Sequence, residues 1–259
     1  MALKYGKLPA RPGAASFKFS TYFNAEALPK PPDGPFGHSG LIRKVGTAWG
    51  MLGNDQYGCC VLAGAGHETK QWNAERGIAV PIDAANTLSD YSAITGFNPL
   101  NPLSDQGTDM VVAADYRKKT GIVDAEGKRH VIDAYLALKV GDLDELYLAT
   151  WLLGAVGVGI TVPASCEAQF RAGTIWTNVP GDPIVGGHYI VCVDRNSKGL
   201  PVFVTWGGDQ ASDEAWYKQN NDEVLGYVSL EALDAKGLSP EQFNRAQLIA
   251  DLSALPSAA

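Results

Sequence analysis

Apolar residues recur every three to four positions in several stretches of the first 155 residues, which is the spacing of helices that bury one face. In the first of these stretches Val61, Leu62 and Trp72 lie on one face, and Gly77 follows as a stop signal. Asp109 precedes a later stretch and is a suitable N-cap residue. The predicted helices cover residues 60–76, 84–95, 110–119 and 142–153.

From residue 157 the pattern changes to short β-branched or apolar runs that glycine, proline and asparagine separate, which is typical of strands. These runs are residues 158–162, 189–193, 202–205 and 225–230, and residues 131–140 form an earlier extended segment. Helices in the first half and strands in the second predict an α+β protein with two lobes. Ser239 and Pro240 form a helix start, so a last helix is predicted to end near Leu255.

The first 40 residues form an arm with a different composition. Its prolines block long helices and central strands, so we expect an extended chain. The arm also carries a group of closely spaced aromatic residues that a polar disordered tail would lack. They are Phe17, Phe19, Tyr22 and Phe23. We therefore expect the arm to pack on a surface, either that of its own domain or that of a protein neighbour.

The overall composition excludes several classes of function. The net charge of −7, with no large cluster of Lys and Arg, argues against a nucleic-acid partner. The longest apolar stretch, residues 152–162, is too short to span a bilayer, and the N-terminus lacks a secretory signal, so no membrane association and a cytoplasmic location are expected. No nucleotide-binding glycine motif is present, and no cofactor is predicted.

Two residues about half the sequence apart carry the candidate chemistry. Cys60 follows a turn and opens the first predicted helix, and His188 opens a strand. An imidazole that takes the thiol proton makes the thiolate a nucleophile, and a helix N-terminus is expected to lower the pKa of the Cys60 thiol. The alternative is that both residues are ordinary buried core residues. Cys59, next in the chain, is interpreted as a small buried filler.

Short motifs around these two residues resemble those of the papain-like cysteine peptidase superfamily, in the same order along the chain. They are Gly58-Cys59-Cys60, Gly107-Thr108, His188 and Trp206-Gly207. The resemblance implies a nucleophile at Cys60, a general base at His188 and an oxyanion donor at Asn54, with Gln56 as a competing donor. It also implies a helical N-terminal lobe and an antiparallel β C-terminal lobe. The expected boundaries are residues 1–40 for the arm, 41–150 and 151–232 for the lobes, and 233–259 for a C-terminal helix.

The sequence departs from the superfamily at the residue that orients the histidine. That residue is normally Asn two positions before the tryptophan, and here it is Val204, which cannot accept a hydrogen bond. Thr205 and Asp209 are polar residues nearby, but neither stands at the matching position. A cysteine–histidine pair without this group is expected to be a weaker catalyst.

Two functions are consistent with this sequence. The first is a cysteine hydrolase that acts on a peptide, isopeptide or related acyl bond of a peptide or protein substrate. The second is a weak or inactive papain-like module in a larger assembly such as a phage virion, with the arm contacting a neighbour. A structural zinc site is disfavoured because the cysteines and His188 lack paired ligand spacing. His38, His67 and His130 are interpreted as core histidines.

Overall fold

The computed structural model describes residues 3–22, 30–232 and 250, and it combines a helical lobe with a large antiparallel sheet. Within these residues the helices are α1 (Phe19–Tyr22), α2 (Gly40–Lys44), α3 (Cys60–Glu75), α4 (Ala84–Thr95), α5 (Met110–Lys119), α6 (Leu143–Leu153), α7 (Ser165–Arg171) and α8 (Glu214–Asn220). The strands are β1 (Phe36–Gly37), β2 (Ile122–Val123), β3 (Arg129–His130), β4 (Ala134–Ala137), β5 (Val156–Pro163), β6 (Ile184–Arg195), β7 (Pro201–Thr205), β8 (Gly208–Ala211) and β9 (Asn221–Val228). The predicted α+β class is confirmed.

The sheet has the strand order β4-β9-β5-β6-β7-β8, and β1 adds to β6. Every one of these pairings is antiparallel. Side chains alternate across β6: Tyr189 and Val191 belong to the hydrophobic cluster around α3, whereas Ile190 and Cys192 belong to the cluster with α6 and α8. The sheet is therefore buried on both faces. His188 lies opposite Ile160 of β5, near the start of the central strand β6.

The ends of the helices follow local chemistry that the sequence reveals. The side chains of Asp83, Asp109 and Asp142 each accept a hydrogen bond from a backbone N–H three residues later, which caps α4, α5 and α6. Gly96 and Gly154 adopt left-handed conformations at the C-terminal ends of α4 and α6. The four helices predicted before residue 155 are therefore found, with bounds that differ by a residue or less.

Helix α3 is buried on all sides, which the pattern of one apolar face did not predict. Every residue from Cys60 to Ala74 is buried, including Glu68, Lys70 and Gln71. The reason is position, because α3 lies between the sheet and the other helices of its lobe. Polar residues in such a helix need internal partners, and Lys70 donates to the carbonyl oxygens of Ala48 and Trp49.

The described parts of the arm pack on their own domain. The Ala137 N–H of β4 donates to the Phe17 carbonyl oxygen at 2.7 Å, Phe19 is buried in the sheet's core, and β1 extends the sheet beside β6. A contact of the arm with a protein neighbour therefore has no support. Phe23 and nearly all of the helix predicted over residues 239–255 lie outside the described residues.

Candidate active site

Cys60 is the first residue of α3, and Cys59 is its N-cap residue. The Cys60 side chain is only 1% exposed. Its sulfur is close enough to the backbones of Tyr189, which directly follows His188, and of Gly6 for both to favour the thiolate. The start of α3 and the start of β6 thus meet at this sulfur, and the N-terminal part of the chain covers it.

The pKa of the Cys60 thiol is raised to about 11, contrary to the lowering expected from the helix N-terminus. Burial is the main cause, because a thiolate loses its hydration in a closed site. The backbones of Tyr189 and Gly6, and the positive charge of Lys7, offset only part of this penalty. In the closed structure the candidate nucleophile is a neutral thiol.

His188 is held in a defined orientation by two neighbours from the end of β7. Its ring stacks on Trp206 with centroids 4.6 Å apart and an angle of 17° between planes, and its Nε2 lies 2.9 Å from Thr205 Oγ1. Nδ1 is buried and has no hydrogen-bond partner among the described residues. Burial, followed by the nearby His67, lowers the pKa of His188 to about 3, so the imidazole is neutral. For Nδ1 to act as a base, the proton of the neutral ring must be on Nε2. The Nε2–H group then donates a hydrogen bond to Thr205 Oγ1.

Thr205, rather than the residue matched from the superfamily, contacts the histidine. Val204 is 1% exposed and belongs to the hydrophobic cluster around α3. Because successive side chains of a strand face opposite sides, Thr205 points the other way, toward His188. Asp209 accepts a hydrogen bond from Trp49 Nε1 at 2.8 Å instead. The signal in the sequence for this contact was a single polar residue that ends an apolar strand just before Trp206.

Two side-chain donors converge on one carbonyl oxygen of the N-terminal part of the chain. Asn54 Nδ2 lies 3.5 Å and Trp206 Nε1 lies 3.4 Å from the carbonyl oxygen of Lys4, and Asn54 Nδ2 also donates to the Tyr57 carbonyl oxygen at 3.0 Å. Gln56 is exposed on the same turn. Of the two donors considered from the sequence, Asn54 is therefore the one whose side chain contacts the N-terminal part of the chain. Donors aimed at a carbonyl oxygen are the chemistry of an oxyanion hole.

The backbone of Trp206 has a conformation that is unfavourable for a bulky residue. Its φ is +44°, and Gly207 follows with a φ of +74°. The surrounding rings hold this geometry: Tyr5, Phe170 and Trp176 contact the indole edge to face at centroid distances of 6.1, 5.2 and 6.1 Å. Local strain of this kind is found at functional sites where the packing fixes it.

The N-terminal segment, residues 3–8, runs through the cleft between the two lobes. The backbone N–H groups of Gly6 and Lys7 donate to the Gly187 carbonyl oxygen at 3.1 and 3.0 Å. On the opposite side, Thr108 N–H donates to the Gly6 carbonyl oxygen at 2.7 Å, and Leu8 N–H donates to the Thr108 carbonyl oxygen at 3.0 Å. The segment is therefore bonded to the residue before His188 and to the helical lobe.

This fit depends on glycines. A Cβ atom on Gly6 would lie 1.8 Å from the Gly58 carbonyl oxygen, one on Gly107 would lie 2.2 Å from the Gly6 carbonyl oxygen, and one on Gly187 would lie 2.4 Å from the Lys7 carbonyl oxygen. Non-bonded atoms cannot approach each other this closely, so a side chain at any of these three glycines would prevent the segment from fitting the cleft.

The other cysteines and histidines have structural surroundings. Burial raises the pKa of the thiols of Cys166 and Cys192 to about 12, and all four cysteines are free. His67 Nε2 contacts the Gly50 carbonyl oxygen at 2.9 Å, and His130 lies between two carboxylates. In the part of the chain that the structure describes, no group of three or more His, Cys, Asp and Glu side chains could hold a metal ion. No helix in that part has the length and apolarity needed to cross a membrane.

Comparisons with known proteins identify the fold. No family model and no curated protein matches the chain. Among solved structures, xylellain, a cysteine protease from Xylella fastidiosa, is similar with a TM-score of 0.59 and 14% identity, covering 88% of this chain and 98% of that one. Procathepsin B S9 from Trypanosoma congolense has a TM-score of 0.61 and 13% identity, covering 87% and 86%. Procathepsin L 3 from the Tenebrio molitor larval midgut has a TM-score of 0.56 and 14% identity, covering 87% and 75%. The chain therefore has the papain-like fold.

Proposed function

We propose that this protein is a cysteine hydrolase that cleaves a peptide, isopeptide or related acyl bond with Cys60 and His188. The observation that carries the proposal is the state of His188. Its Nε2 contacts Thr205, its ring stacks on Trp206, and its Nδ1 has no hydrogen-bond partner among the described residues. His188 also directly precedes Tyr189, whose backbone lies near the Cys60 thiol. A buried polar atom without a partner costs free energy and indicates a function for it.

In the proposed reaction, Nδ1 of His188 takes the thiol proton, and the Cys60 sulfur attacks the acyl carbon. The carbonyl electron pair moves onto oxygen, which Asn54 Nδ2 and the Cys60 backbone N–H stabilise. When the pair returns, the bond to the leaving group breaks, and the imidazolium gives its proton to that group. A water molecule, deprotonated by the same imidazole, then hydrolyses the thioester. The N-terminal segment must leave the cleft before a substrate enters.

The second candidate is a binding module that retains the fold without catalysis. The filled cleft and the neutral thiol favour it, since neither is the state of a working nucleophile. The two candidates behave differently once the segment has left the cleft, because only a hydrolase then turns over a substrate.

Gly6→Ala in the full chain provides the test, since the added Cβ cannot fit against the Gly58 carbonyl oxygen. We expect this variant to hydrolyse members of a broad panel of peptide and ester substrates more rapidly than the wild type. Adding Cys60→Ala should reduce hydrolysis to the background rate, whereas the matched addition of Cys59→Ala should leave most of it. Equal rates with and without Cys60 would refute the hydrolase, and binding of peptides without turnover would favour the module.

Thr205→Val is expected to lower kcat by roughly tenfold to a hundredfold in the Gly6→Ala background, because the imidazole loses the acceptor that selects its tautomer. Thr205→Ser retains a hydroxyl and should restore most of the rate. The pH profile of kcat is the second measurement, since a changed imidazole environment shifts its limbs. A Thr205→Val variant with normal kcat and an unchanged profile would show that Thr205 does not orient His188.

A further inference from the structure

The N-terminal segment places one charged side chain in a pocket of the cleft. The Lys7 side chain is 1% exposed, and its Nζ lies 2.9 Å from each carboxylate oxygen of Asp222, at the start of β9. Nζ also donates to the Leu8 carbonyl oxygen at 3.0 Å. Burying an ammonium group is costly unless a counter-charge meets it, and Asp222 provides that charge.

The walls of this pocket belong to the folded domain and not to the segment. A Cβ atom on Gly159, in the middle of strand β5, would lie 2.1 Å from Lys7 Cε and 2.8 Å from the Met110 sulfur. The absence of a side chain at Gly159 thus makes the space that the Lys7 stem fills, and Met110 of α5 gives it an apolar wall. Gly159 and Asp222 lie on paired strands, so these two walls of the pocket belong to the sheet.

A cavity and further charged side chains lie next to Asp222. A cavity of about 270 Å³ adjoins Asp222 and is lined by Arg11, Leu138 and Glu223 among others. Arg11 is bound to Asp109 at 2.5 and 2.9 Å, so those two charges neutralise each other. Burial raises the pKa of Glu223 to about 7, so this carboxyl is only partly ionised at neutral pH, and Asp222 is the carboxylate that contacts Nζ directly.

We propose that, when the N-terminal segment leaves, this pocket receives a lysine or arginine side chain of the peptide substrate, with Asp222 as the residue that determines this specificity. The inference rests on the proposed function and adds a substrate class to it. The Lys7 side chain of the segment occupies the place that the substrate side chain would take, and so it indicates which side chain the pocket accepts. A methylene stem fits between Gly159 and Met110, and a cation meets Asp222.

The test uses the full chain with Gly6→Ala and Lys7→Ser, called the opened variant, and requires no hydrolysis. The probes are hexapeptides with the sequence of residues 3–8, Leu-Lys-Tyr-Gly-Xaa-Leu, in which Xaa is Lys, Arg, norleucine or Glu. Their binding is measured as protection of Cys60 from iodoacetamide. Lys and Arg peptides should protect at concentrations about tenfold lower than the norleucine peptide, since a site built for a polar partner rejects an analogue that lacks it. The Glu peptide should protect least.

Asp222→Asn in the opened variant should bring the preference for Lys over norleucine close to unity. The matched control is Asp144→Asn, which removes the same charge from an exposed position at the start of α6 and should leave the preference intact. A preference that is absent from the opened variant, or that survives Asp222→Asn, overturns the inference.

A charge swap tests the same pocket without the opened variant. Lys7→Asp alone and Asp222→Lys alone each put two like charges together, so each should speed labelling of Cys60 in the otherwise wild-type chain. The two substitutions combined should restore slow labelling. Fast labelling in a folded double variant overturns the inference.

The two proposals fail in different ways. If the opened variant hydrolyses no peptide but Lys and Arg peptides protect Cys60 best, the hydrolase is refuted and the basic pocket stands. If the opened variant hydrolyses peptides without regard to basic residues, the hydrolase stands and the basic pocket is refuted.

Discussion

Iodoacetamide is expected to label Cys60 at least about a hundredfold faster in the Gly6→Ala variant than in the wild-type chain at pH 7. In the closed structure the thiol is buried under Gly6, and its pKa of about 11 leaves only about one molecule in ten thousand as thiolate at neutral pH. Burial is the main cause of this raised pKa. Opening the cleft therefore increases both the thiolate fraction and the access of the reagent.

The pH dependence of labelling gives a second measurement of the same effect. A thiol with a raised pKa is protonated at neutral pH, so the rate for the wild type should rise about tenfold per pH unit and level off only near pH 11. In Gly6→Ala the curve should level off at a lower pH. Gly34→Ala is the matched control, because a Cβ there meets no atom of the described residues within 4 Å. Equal rates for Gly6→Ala, Gly34→Ala and the wild type would show that the segment does not protect Cys60.

The two main residues of the candidate site could be identified from the sequence because each has a strong local signature. Cys60 follows a turn and starts a helix, and His188 starts an apolar strand that a Trp-Gly pair follows. Both positions depend on short-range patterns of apolar residues and turn residues, and the helix caps at Asp109 and Asp142 follow the same rules. These parts of the fold were therefore predictable from the chain alone.

The parts that could not be predicted depend on contacts distant in the sequence. Residues 3–8 have no helical or strand periodicity, and their position in the cleft results from a fit against Gly58, Thr108 and Gly187. The raised pKa of Cys60 has the same origin, because helix position alone predicts the opposite sign. To predict that Thr205 rather than Val204 contacts His188, the strand register must be known, because a shift of one residue moves each side chain to the opposite face of the sheet.

Arg117→Met is expected to destabilise the protein by about 3–5 kcal/mol, because it leaves the charge of Glu68 buried without its partner. Arg117 Nη1 lies 2.7 Å from Glu68 Oε2, and both side chains are almost fully buried. Tyr189, the residue after His188, donates its hydroxyl to Glu68 Oε1 at 2.5 Å. Arg117 also stacks over the Tyr227 ring at 4.1 Å. This cluster joins α3 and α5 to strands β6 and β9.

The way in which the stability loss of Arg117→Met changes with pH distinguishes loss of the ion pair from loss of packing. Burial raises the pKa of Glu68, and the charge of Arg117 opposes that rise. Without Arg117 the pKa of Glu68 rises further, so acid protonates Glu68 and the penalty of Arg117→Met should shrink as the pH falls. Glu68→Gln added to Arg117→Met should recover part of the stability at neutral pH. Both effects are measured as free energies of unfolding from denaturant titrations at several pH values.

Arg171→Met gives the scale for an ion pair on the surface. Arg171 pairs with Glu167 one helical turn away, and both are partly exposed, so its loss should cost about 0.5 kcal/mol or less. If Arg117→Met costs no more than Arg171→Met, Glu68 is not charged in the folded state and the buried pair does not hold the lobes together. If it costs several kcal/mol, thiol labelling of the Arg117→Met variant should also rise. Tyr189 lies between this cluster and the Cys60 sulfur, so a loosened cluster exposes the candidate nucleophile.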